Sequence, residues 1–252
     1  MNAIAKDGMT SERISAPDIT GGHTNAGHVV LREPGLLVID HVLSAPQFEA
    51  MSRAIAEGEY RSVHSAHHDR AWRPWDGTPL RAGSMYYDPC AAFHWQGPLY
   101  PSGSAVDPLI ERVCQAAAAC PEIVGTEGLD WIALYLSAWL YPVGSALSLH
   151  RDGEQYSGAF AFFAHRRWCA HWGGELLVQP PSARHPGRGG AWIADDGDDD
   201  DGDPGIATCV IPKPNRLVLL GPNRPHRIAR VDTNAGTHAR ASIAGFFLRP
   251  PC

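Results

Sequence analysis

The stretch Trp131-Ile132-Ala133-Leu134-Tyr135-Leu136-Ser137-Ala138-Trp139-Leu140-Tyr141 decides the fold. Side chains along it alternate with a period of two, which is the period of a β-strand. We expect the aliphatic set to pack against a layer of helix or sheet: Ile132, Leu134, Leu136, Ala138 and Leu140. We expect the aromatic and hydroxyl-bearing set to line a cavity: Trp131, Ala133, Tyr135, Ser137, Trp139 and Tyr141.

Short segments of strand character follow this stretch and are separated by Gly, Pro and Asn turns. They lie at about 158–164, 174–179, 207–211, 216–220, 226–231 and 239–248. Many short strands with turn signals predict a mainly β fold, a double-stranded β-helix of the jelly-roll or cupin-like type.

Supporting helices are predicted N-terminal to these strands. Residues 36–40 have the composition of a buried strand, and Ser44 is placed to cap a helix over 45–57. Asp107 is expected to cap a second helix over 108–119. The segment 60–104 is rich in His, Arg, Trp, Pro and Gly and has weak periodicity, so we expect irregular loops that contact substrate.

The predicted organisation is a disordered N-terminal tail over 1–28 followed by a single domain over 29–252. Within that domain, 29–130 would supply helical support and substrate loops, and 131–250 the jelly-roll core. The acidic insertion 195–203 is expected to be a solvated loop, because it lacks the fixed ligand register of a calcium-binding EF-hand.

Composition excludes several classes of function. The 252 residues suffice to bury a substantial core without disulfides, and the six cysteines have no CxxC spacing, which is typical of a reducing compartment. A formal net charge of −6 argues against a nucleic-acid partner, which requires a basic face. The sequence contains neither a signal peptide nor a run of about 18 apolar residues, so we expect a cytoplasmic protein with no membrane partner. No feature predicts the oligomeric state.

Three residues have the identity and spacing of a metal site. His150 and Asp152 are two residues apart, so in a strand both side chains would project from one face. His226 follows a Gly- and Pro-containing turn and would supply a third ligand from another strand. Two imidazoles and one carboxylate are the ligand set of a facial iron(II) site, which leaves three coordination positions open. A His-x-Asp pair is weak evidence in isolation, so the motifs that follow it carry the prediction.

A buried anion site is predicted downstream of these ligands. Residues 239–248 are apolar except for Arg240 and Ser242, which share one strand face. Arginine is rarely buried unless it is paired, and its guanidinium forms two parallel hydrogen bonds with a carboxylate. The alternative is an Arg240 at the barrel mouth that pairs with Asp232 or with the acidic insertion.

Taken in order, these motifs resemble the iron(II)- and 2-oxoglutarate-dependent oxygenases, in particular their prolyl-hydroxylase-like branch. The resemblance spans about residues 131–250. Its signals are Tyr141-Pro142, His150-x-Asp152, Gly173-Gly174-Glu175-Leu176, Pro212-Lys213-x-x-Arg216-Leu217-Val218-Leu219, Pro225-His226, and Arg240-x-Ser242 before Phe246-Phe247.

The resemblance implies an oxidoreductase, a dioxygenase that uses iron(II), 2-oxoglutarate as co-substrate and O2. It implies that His150, Asp152 and His226 bind the iron and are the catalytic residues. It also implies that Arg240, assisted by Ser242, binds the distal carboxylate of 2-oxoglutarate.

One departure from the family pattern concerns the hydrogen-bond partners of that carboxylate. Phe162 or Phe163 stands where the oxygen-sensing prolyl hydroxylases offer a Tyr. Either Tyr135, Tyr141 or Ser242 substitutes for that Tyr, or Arg240 acts with less help. Tyr141 matches a position whose side chain points at the co-substrate in those enzymes. The related halogenases replace the iron-binding carboxylate with Gly or Ala, so its presence here favours hydroxylation over halogenation. Desaturation, epoxidation and ring formation stay open, since they use the same ligands.

We expect a small-molecule or peptide-like substrate. The predicted reaction is hydroxylation of an unactivated C–H bond in an amino acid or small peptide-like metabolite of natural-product biosynthesis. The candidate substrate residues are Trp139, Arg73, Trp75, Arg81, Tyr86 and Arg166. Three alternatives stay open: a peptidyl or protein prolyl hydroxylase, a non-catalytic metal-binding jelly-roll module, and a zinc-dependent cupin-like hydrolase or isomerase.

Overall fold

A computed structural model of the chain describes residues 27–65, 72–180, 192–193 and 205–251. The predicted tail lies outside these ranges up to residue 26, and the acidic insertion lies outside them entirely. The helices are α1 (Ala45–Ala56), α2 (Asp107–Ala119) and α3 (Pro121–Val124). The strands are β1 (His28–Glu33), β2 (Leu36–Asp40), β3 (Arg61–Ser62), β4 (Leu80–Tyr87), β5 (Ala133–Tyr141), β6 (Leu147–Arg151), β7 (Tyr156–Phe163), β8 (Leu176–Val178), β9 (Trp192–Ile193), β10 (Thr208–Val210), β11 (Arg216–Leu220), β12 (His226–Ile228) and β13 (Arg240–Leu248).

Two antiparallel sheets form the part of the protein that the structure describes, as the pattern of short strands predicts. The major sheet has eight strands in the order β1-β2-β11-β7-β13-β5-β4-β3, and the minor sheet has five in the order β10-β8-β12-β6-β9. The prediction of a mainly β fold is therefore confirmed. None of the helices in the described ranges has the length and hydrophobicity needed to span a bilayer.

The apolar core has two layers, one on each face of the major sheet. On the outer face, Met51 and Ile55 of α1 and the inner side of α2 pack against Leu134 and Leu136. Burying each such side chain stabilises the fold by about 1.5–3 kcal/mol. On the inner face, Tyr141 joins residues of the minor sheet in a second cluster.

The predicted alternation is confirmed along β5 but is wrong for Trp131. That indole is 1% exposed, belongs to the outer-face core and contacts Phe247 edge-on, with ring centroids 5.0 Å apart. The reason is that Trp131 precedes the first residue of β5, so the period of the strand does not govern its direction.

Both predicted helices form, with one correction. Gln47 accepts hydrogen bonds from the backbone N–H and the hydroxyl of Ser44, which fixes the start of α1. Asp107 is the first residue of α2 rather than its N-cap, which is Val106. The Asp107 carboxylate instead accepts from the preceding loop, from the backbone N–H groups of Ser102 and Gly103 and the hydroxyl of Ser102.

The expectation of irregular loops over 60–104 is wrong for the ten residues that form β3 and β4, of which β4 pairs with β5. The register shifts between Arg81, which is paired with Trp139, and Ser84, which is paired with Ser137. A bulge of this kind inserts one extra residue and inverts the alternation after it. The period of two is therefore interrupted within the strand and is not visible in the sequence.

Candidate metal centre and anion site

The two histidines of the predicted triad face each other across neighbouring strands of the minor sheet. β12 pairs with β6 in a register that places His226 opposite His150. Their ring centroids are 4.2 Å apart, and both residues are 7% exposed. Sheet pairing, rather than a flexible loop, therefore fixes the separation of the two imidazoles.

Each imidazole is oriented by the backbone of its own chain segment. Nδ1 of His150 lies 2.9 Å from the carbonyl oxygen of Ser148, and Nδ1 of His226 lies 2.9 Å from that of Arg224. A carbonyl accepts only, so each Nδ1 carries the proton and each Nε2 retains a lone pair. That is the tautomer which binds a metal through Nε2.

Asp152 completes a compact ligand set. It lies one residue beyond the end of β6, and its Oδ1 is 3.7 Å from Nε2 of His150. One ligand atom from each of the three residues lies within 4.8 Å of the others. Burial, together with electrostatic repulsion from His226, lowers the pKa of His150 to about 4. The neutral ring is the form that binds a metal, so this donor set fits iron(II).

Arg240 is buried, as its position in β13 predicts. It is 1% exposed, and its guanidinium carbon lies 5.2 Å from the ring centre of Tyr141 and 4.9 Å from that of Phe163. Nη1 donates to the hydroxyl of Ser242 at 3.2 Å, while Nε has no hydrogen-bond partner within the described ranges. Burial lowers the pKa of Arg240 to about 10.

No carboxylate among the described residues forms an ion pair with Arg240. Asp232 caps its own turn by accepting from the backbone N–H of Asn234 at 2.8 Å, so the alternative pairing of Arg240 with Asp232 is not observed. A buried guanidinium with an unsatisfied donor is what an anion site requires. Burial also raises the pKa of Tyr141 to about 12, so this phenol stays neutral.

The Gly173-Gly174 motif has a steric role beside this arginine. Gly174 has φ +71°, and a Cβ at this position would lie 2.9 Å from Cδ of Arg240. Any larger residue would be strained and would press on the arginine stem. The glycine therefore makes room for the anion site.

Small side chains form the floor of the space between the two sheets. On the inner face of the major sheet, Ala244 pairs with Ser137 on one side and with Ala161 on the other. Ala161 and Ala244 are partly exposed although they lie at the centre of an eight-stranded sheet. Along β13, exposure rises from the buried Arg240 to the partly exposed Phe246. The space between the sheets is thus closed at Arg240 and open toward Phe246.

Aromatic rings line the open end. Phe246 stacks on Tyr156 at 4.3 Å and on Tyr135 at 6.1 Å between ring centroids. Tyr86 follows at 5.7 Å from Tyr135 and stacks on Trp95 at 4.1 Å. We call Tyr156, Phe246, Tyr135 and Tyr86 the mouth rings.

Tyr135 and Arg81 lie together at this mouth. The Arg81 guanidinium donates to the hydroxyls of Ser84, Ser137 and Tyr135, and its carbon lies 5.4 Å from the ring centre of Trp139. Tyr135 pairs with Phe246, six residues along β13 from Arg240. The expectation that Tyr135 assists Arg240 is therefore wrong. Tyr141 and Ser242 are the neighbours that Arg240 has, and Phe163 is the phenylalanine that faces it.

The remaining candidate substrate residues are only partly brought together. Trp139 faces the space between the sheets and stacks on Trp72 at 5.0 Å. Arg73 and Trp75 belong to the segment that follows Trp72, and Trp75 is 49% exposed. Arg166 is exposed and forms an ion pair with Glu49 of α1, on the opposite side of the major sheet, so the structure does not bring it to the site.

The sequence motifs missed several residues of the site. Tyr156 and Phe246 were not among the candidates, although the alternation of β13 places Phe246 on the face of Arg240. His165 is 7% exposed, its Nδ1 lies 3.1 Å from the carbonyl oxygen of Ala241, and burial lowers its pKa to about 3. Asp76 is 2% exposed and contacts Ser148, a link between distant segments that no local pattern reveals.

No protein-family model and no curated protein matches the sequence. The fold is nevertheless similar to that of solved structures. A Pseudomonas putida prolyl-4-hydroxylase matches with a TM-score of 0.53 and 22% identity, over 85% of this chain and 93% of that one. A Trichoplax adhaerens prolyl hydroxylase, solved with a hypoxia inducible factor peptide fragment, matches with a TM-score of 0.54 and 12% identity over 86% and 84%.

A third similar structure is a Burkholderia pseudomallei oxidoreductase of the 2OG-Fe(II) oxygenase family. It matches with a TM-score of 0.52 and 14% identity, over 85% of this chain and 84% of that chain. At these identities the likeness concerns the fold, which is the one that the sequence resemblance implies.

Proposed function

We propose that the protein is an iron(II)- and 2-oxoglutarate-dependent dioxygenase that hydroxylates an unactivated C–H bond. The observation that carries the proposal is the combination of two buried features on facing sheets. One is the ligand set of His150, Asp152 and His226, and the other is the guanidinium of Arg240 with an unsatisfied Nε. A zinc-dependent hydrolase or a non-catalytic metal-binding module would not require a second, buried cation beside its metal site.

In this proposal the triad would hold iron(II) through three protein ligands, so that the ion would stay accessible to the 2-oxo acid group and O2. Arg240 binds the distal carboxylate of 2-oxoglutarate, with the Ser242 hydroxyl holding Nη1 in place. Tyr141 and Phe163 flank the guanidinium and keep water from it. The bound iron would supply the oxidising chemistry, and the chain's own task is to orient co-substrate and substrate and to exclude water.

The substrate would occupy the open end between Arg81 and the mouth rings. Rings at van der Waals separation suit an apolar body, and a guanidinium suits a carboxylate. These features favour a free amino acid or a small peptide-like metabolite, of the kind modified in natural-product biosynthesis. Arg81→Gln tests the role of its guanidinium.

A peptidyl or protein prolyl hydroxylase is the second candidate. Two of the structures with a similar fold are prolyl hydroxylases, and one of them was solved with a peptide. The partly exposed mouth is compatible with a peptide that lies across it. Mass spectrometry decides between the candidates: a gain of 16 Da on free amino acids or small peptides supports the first, and a gain only on prolyl residues of proteins supports the second.

An anaerobic titration of the apoprotein with iron(II) and 2-oxoglutarate tests the proposed cofactor site. A bidentate 2-oxo acid on iron(II) gives a weak visible charge-transfer band. We expect the band in the wild type, its loss in His226→Ala and a raised 2-oxoglutarate requirement in Arg240→Ala. Absence of the band from the wild-type protein would overturn the proposal and bring the zinc and non-catalytic alternatives forward.

A further inference from the structure

We propose that Asp76 is a positioning residue that couples the segment Trp72–Gly77 to the metal ligand His150. The inference rests on the proposed function, because it concerns the same metal centre. We call residues 72–77 the tryptophan segment, since Trp72 and Trp75 are its two large side chains. The link is made by one buried carboxylate and one serine of β6.

Asp76 is held in place by contacts from two parts of the chain. It is 2% exposed, and its Oδ2 accepts from the backbone N–H of Arg73 at 2.9 Å and from that of Ser148 at 3.1 Å. Its Oδ1 accepts from the Ser148 hydroxyl at 2.9 Å. A buried carboxylate with these three donors is held in place, since moving it would leave it buried without hydrogen-bond partners.

Ser148 in turn orients the metal ligand. Its carbonyl oxygen is the acceptor for Nδ1 of His150, at 2.9 Å. The N–H and hydroxyl of Ser148 are bound by Asp76, and its C=O is bound by His150. The carboxylate therefore fixes the serine whose carbonyl selects the tautomer and the ring orientation of His150.

The rest of the tryptophan segment is attached to the same region. The backbone N–H of Ala146 donates to the carbonyl of Asp76 at 2.8 Å. Arg230 donates to the carbonyls of Trp75 and Gly144, which ties the segment to the turn before β6. A Cβ on Gly77 would lie 2.7 Å from the carbonyl oxygen of Gly144, so the two backbones are in close contact.

The tryptophan segment also reaches the substrate end of the cavity. Trp72 stacks on Trp139, which is on the inner face of β5 beside Arg81. A substrate that orders Trp72 would thereby restrain Asp76 and His150. Coupling free energy is reciprocal, so a metal ion bound at His150 should in turn restrain the tryptophan segment.

Cobalt(II) binding measured by absorption under anaerobic conditions tests the coupling without turnover. The variants are Asp76→Ala and Asp76→Asn, and the matched controls are Asp107→Ala and Asp107→Asn. Asp107 accepts from two backbone N–H groups and one serine hydroxyl, as Asp76 does, but lies on α2. Removing a group that orients a metal ligand weakens metal binding about 10- to 100-fold. We expect that loss in Asp76→Ala and a smaller one in Asp76→Asn, which keeps an acceptor for both N–H groups.

Hydrogen–deuterium exchange adds a readout that a purely structural role would not change. Cobalt(II) should protect the four backbone amides within 73–77, of which Pro74 carries none, in the wild type and in the Asp107 variants. It should not protect them in Asp76→Ala, even where His150 still binds the ion. If Asp76→Ala does not fold, Asp76→Asn and Ser148→Ala carry the same comparison.

The outcomes separate this inference from the proposed function. Wild-type protein that fails to bind cobalt(II) through His226 overturns the function itself. Wild-type protein that binds cobalt(II), with Asp76 variants within twofold of the Asp107 variants and equal protection of 73–77, overturns the coupling and leaves the function intact.

Discussion

Replacing Arg240 with methionine should make the protein more stable than the wild type when 2-oxoglutarate is absent. When 2-oxoglutarate is present, the wild type should be the more stable of the two. Met has a similar length and no charge, and Arg240 is fully buried beside Tyr141 and Phe163. Without an anion the guanidinium is a buried charge with an unsatisfied Nε. The apoprotein therefore carries a cost that the variant lacks.

The pKa of Arg240, lowered from 12.5 to about 10 by burial, sets the size of this cost. At 1.36 kcal/mol per pH unit it corresponds to about 3 kcal/mol. Loss of the ring contacts and of the hydrogen bond to Ser242 offsets about 1–2 kcal/mol of it. We expect apo Arg240→Met to be about 1–2 kcal/mol more stable than the wild type, which raises Tm by about 2–8 °C for a protein of this size.

Saturating 2-oxoglutarate should reverse this order. Ligand at 100 times its Kd stabilises the protein that binds it by about 2.7 kcal/mol. The wild type, loaded with nickel(II) to prevent turnover, should gain that amount, and Arg240→Met should gain much less.

Thermal unfolding gives the Tm of both proteins with and without 2-oxoglutarate. Glutarate lacks the 2-oxo group, so stabilisation by glutarate reports binding at the anion site without chelation of the metal. An apo variant less stable than the wild type, or one stabilised equally by 2-oxoglutarate, would refute the assignment of Arg240.

Three further predictions follow from the same geometry. Ala244→Leu should fill the floor of the cavity and weaken the binding of 2-oxoglutarate or substrate about tenfold, equivalent to about 1.4 kcal/mol. Calorimetry should show this loss together with an unchanged affinity for cobalt(II). The lowered pKa of His165, about 3, means that the unfolded chain binds more protons between pH 3 and 6.5. The contribution of His165 to the free energy of unfolding should therefore be complete above pH 6.5, and below pH 6.5 the free energy should fall by up to about 1.4 kcal/mol per pH unit. Urea unfolding at a series of pH values should show a weaker pH dependence of this free energy for His165→Phe than for the wild type. Arg81→Gln should raise KM for a carboxylate-bearing substrate with little change in kcat, whereas equal KM values for that acid and its amide in the wild type would contradict the role of Arg81.

The parts of the site that follow from local periodicity could be predicted from the sequence. The alternation of β5 places Tyr141 and Trp139 inward, and the same rule places Arg240 and Ser242 together on β13. His150 and Asp152 meet because they are two positions apart, although Asp152 lies just outside the strand. In each case the information is contained within a few consecutive residues.

The parts that depend on pairing between distant segments could not be predicted. A bulge in β4 hides its alternation, so Arg81 could be named as a candidate but not placed on Ser137 and Tyr135. Asp76 is separated from Ser148 by 72 residues, and nothing in its neighbourhood distinguishes it from a surface aspartate. Tyr135 was expected beside Arg240 because alternation gives the face of a strand but not the position along the cavity.

The graded exposure of β13 has a kinetic consequence. Arg240 lies at the closed end of the space between the sheets, and the only graded opening along this strand is toward Phe246. A molecule seated at the mouth rings blocks the path to the closed end. Steady-state kinetics should therefore follow a compulsory order. 2-Oxoglutarate should bind before the substrate that is oxidised, and the product of 2-oxoglutarate should leave last. Excess substrate should inhibit by occupying the mouth first, and raising the 2-oxoglutarate concentration should relieve that inhibition.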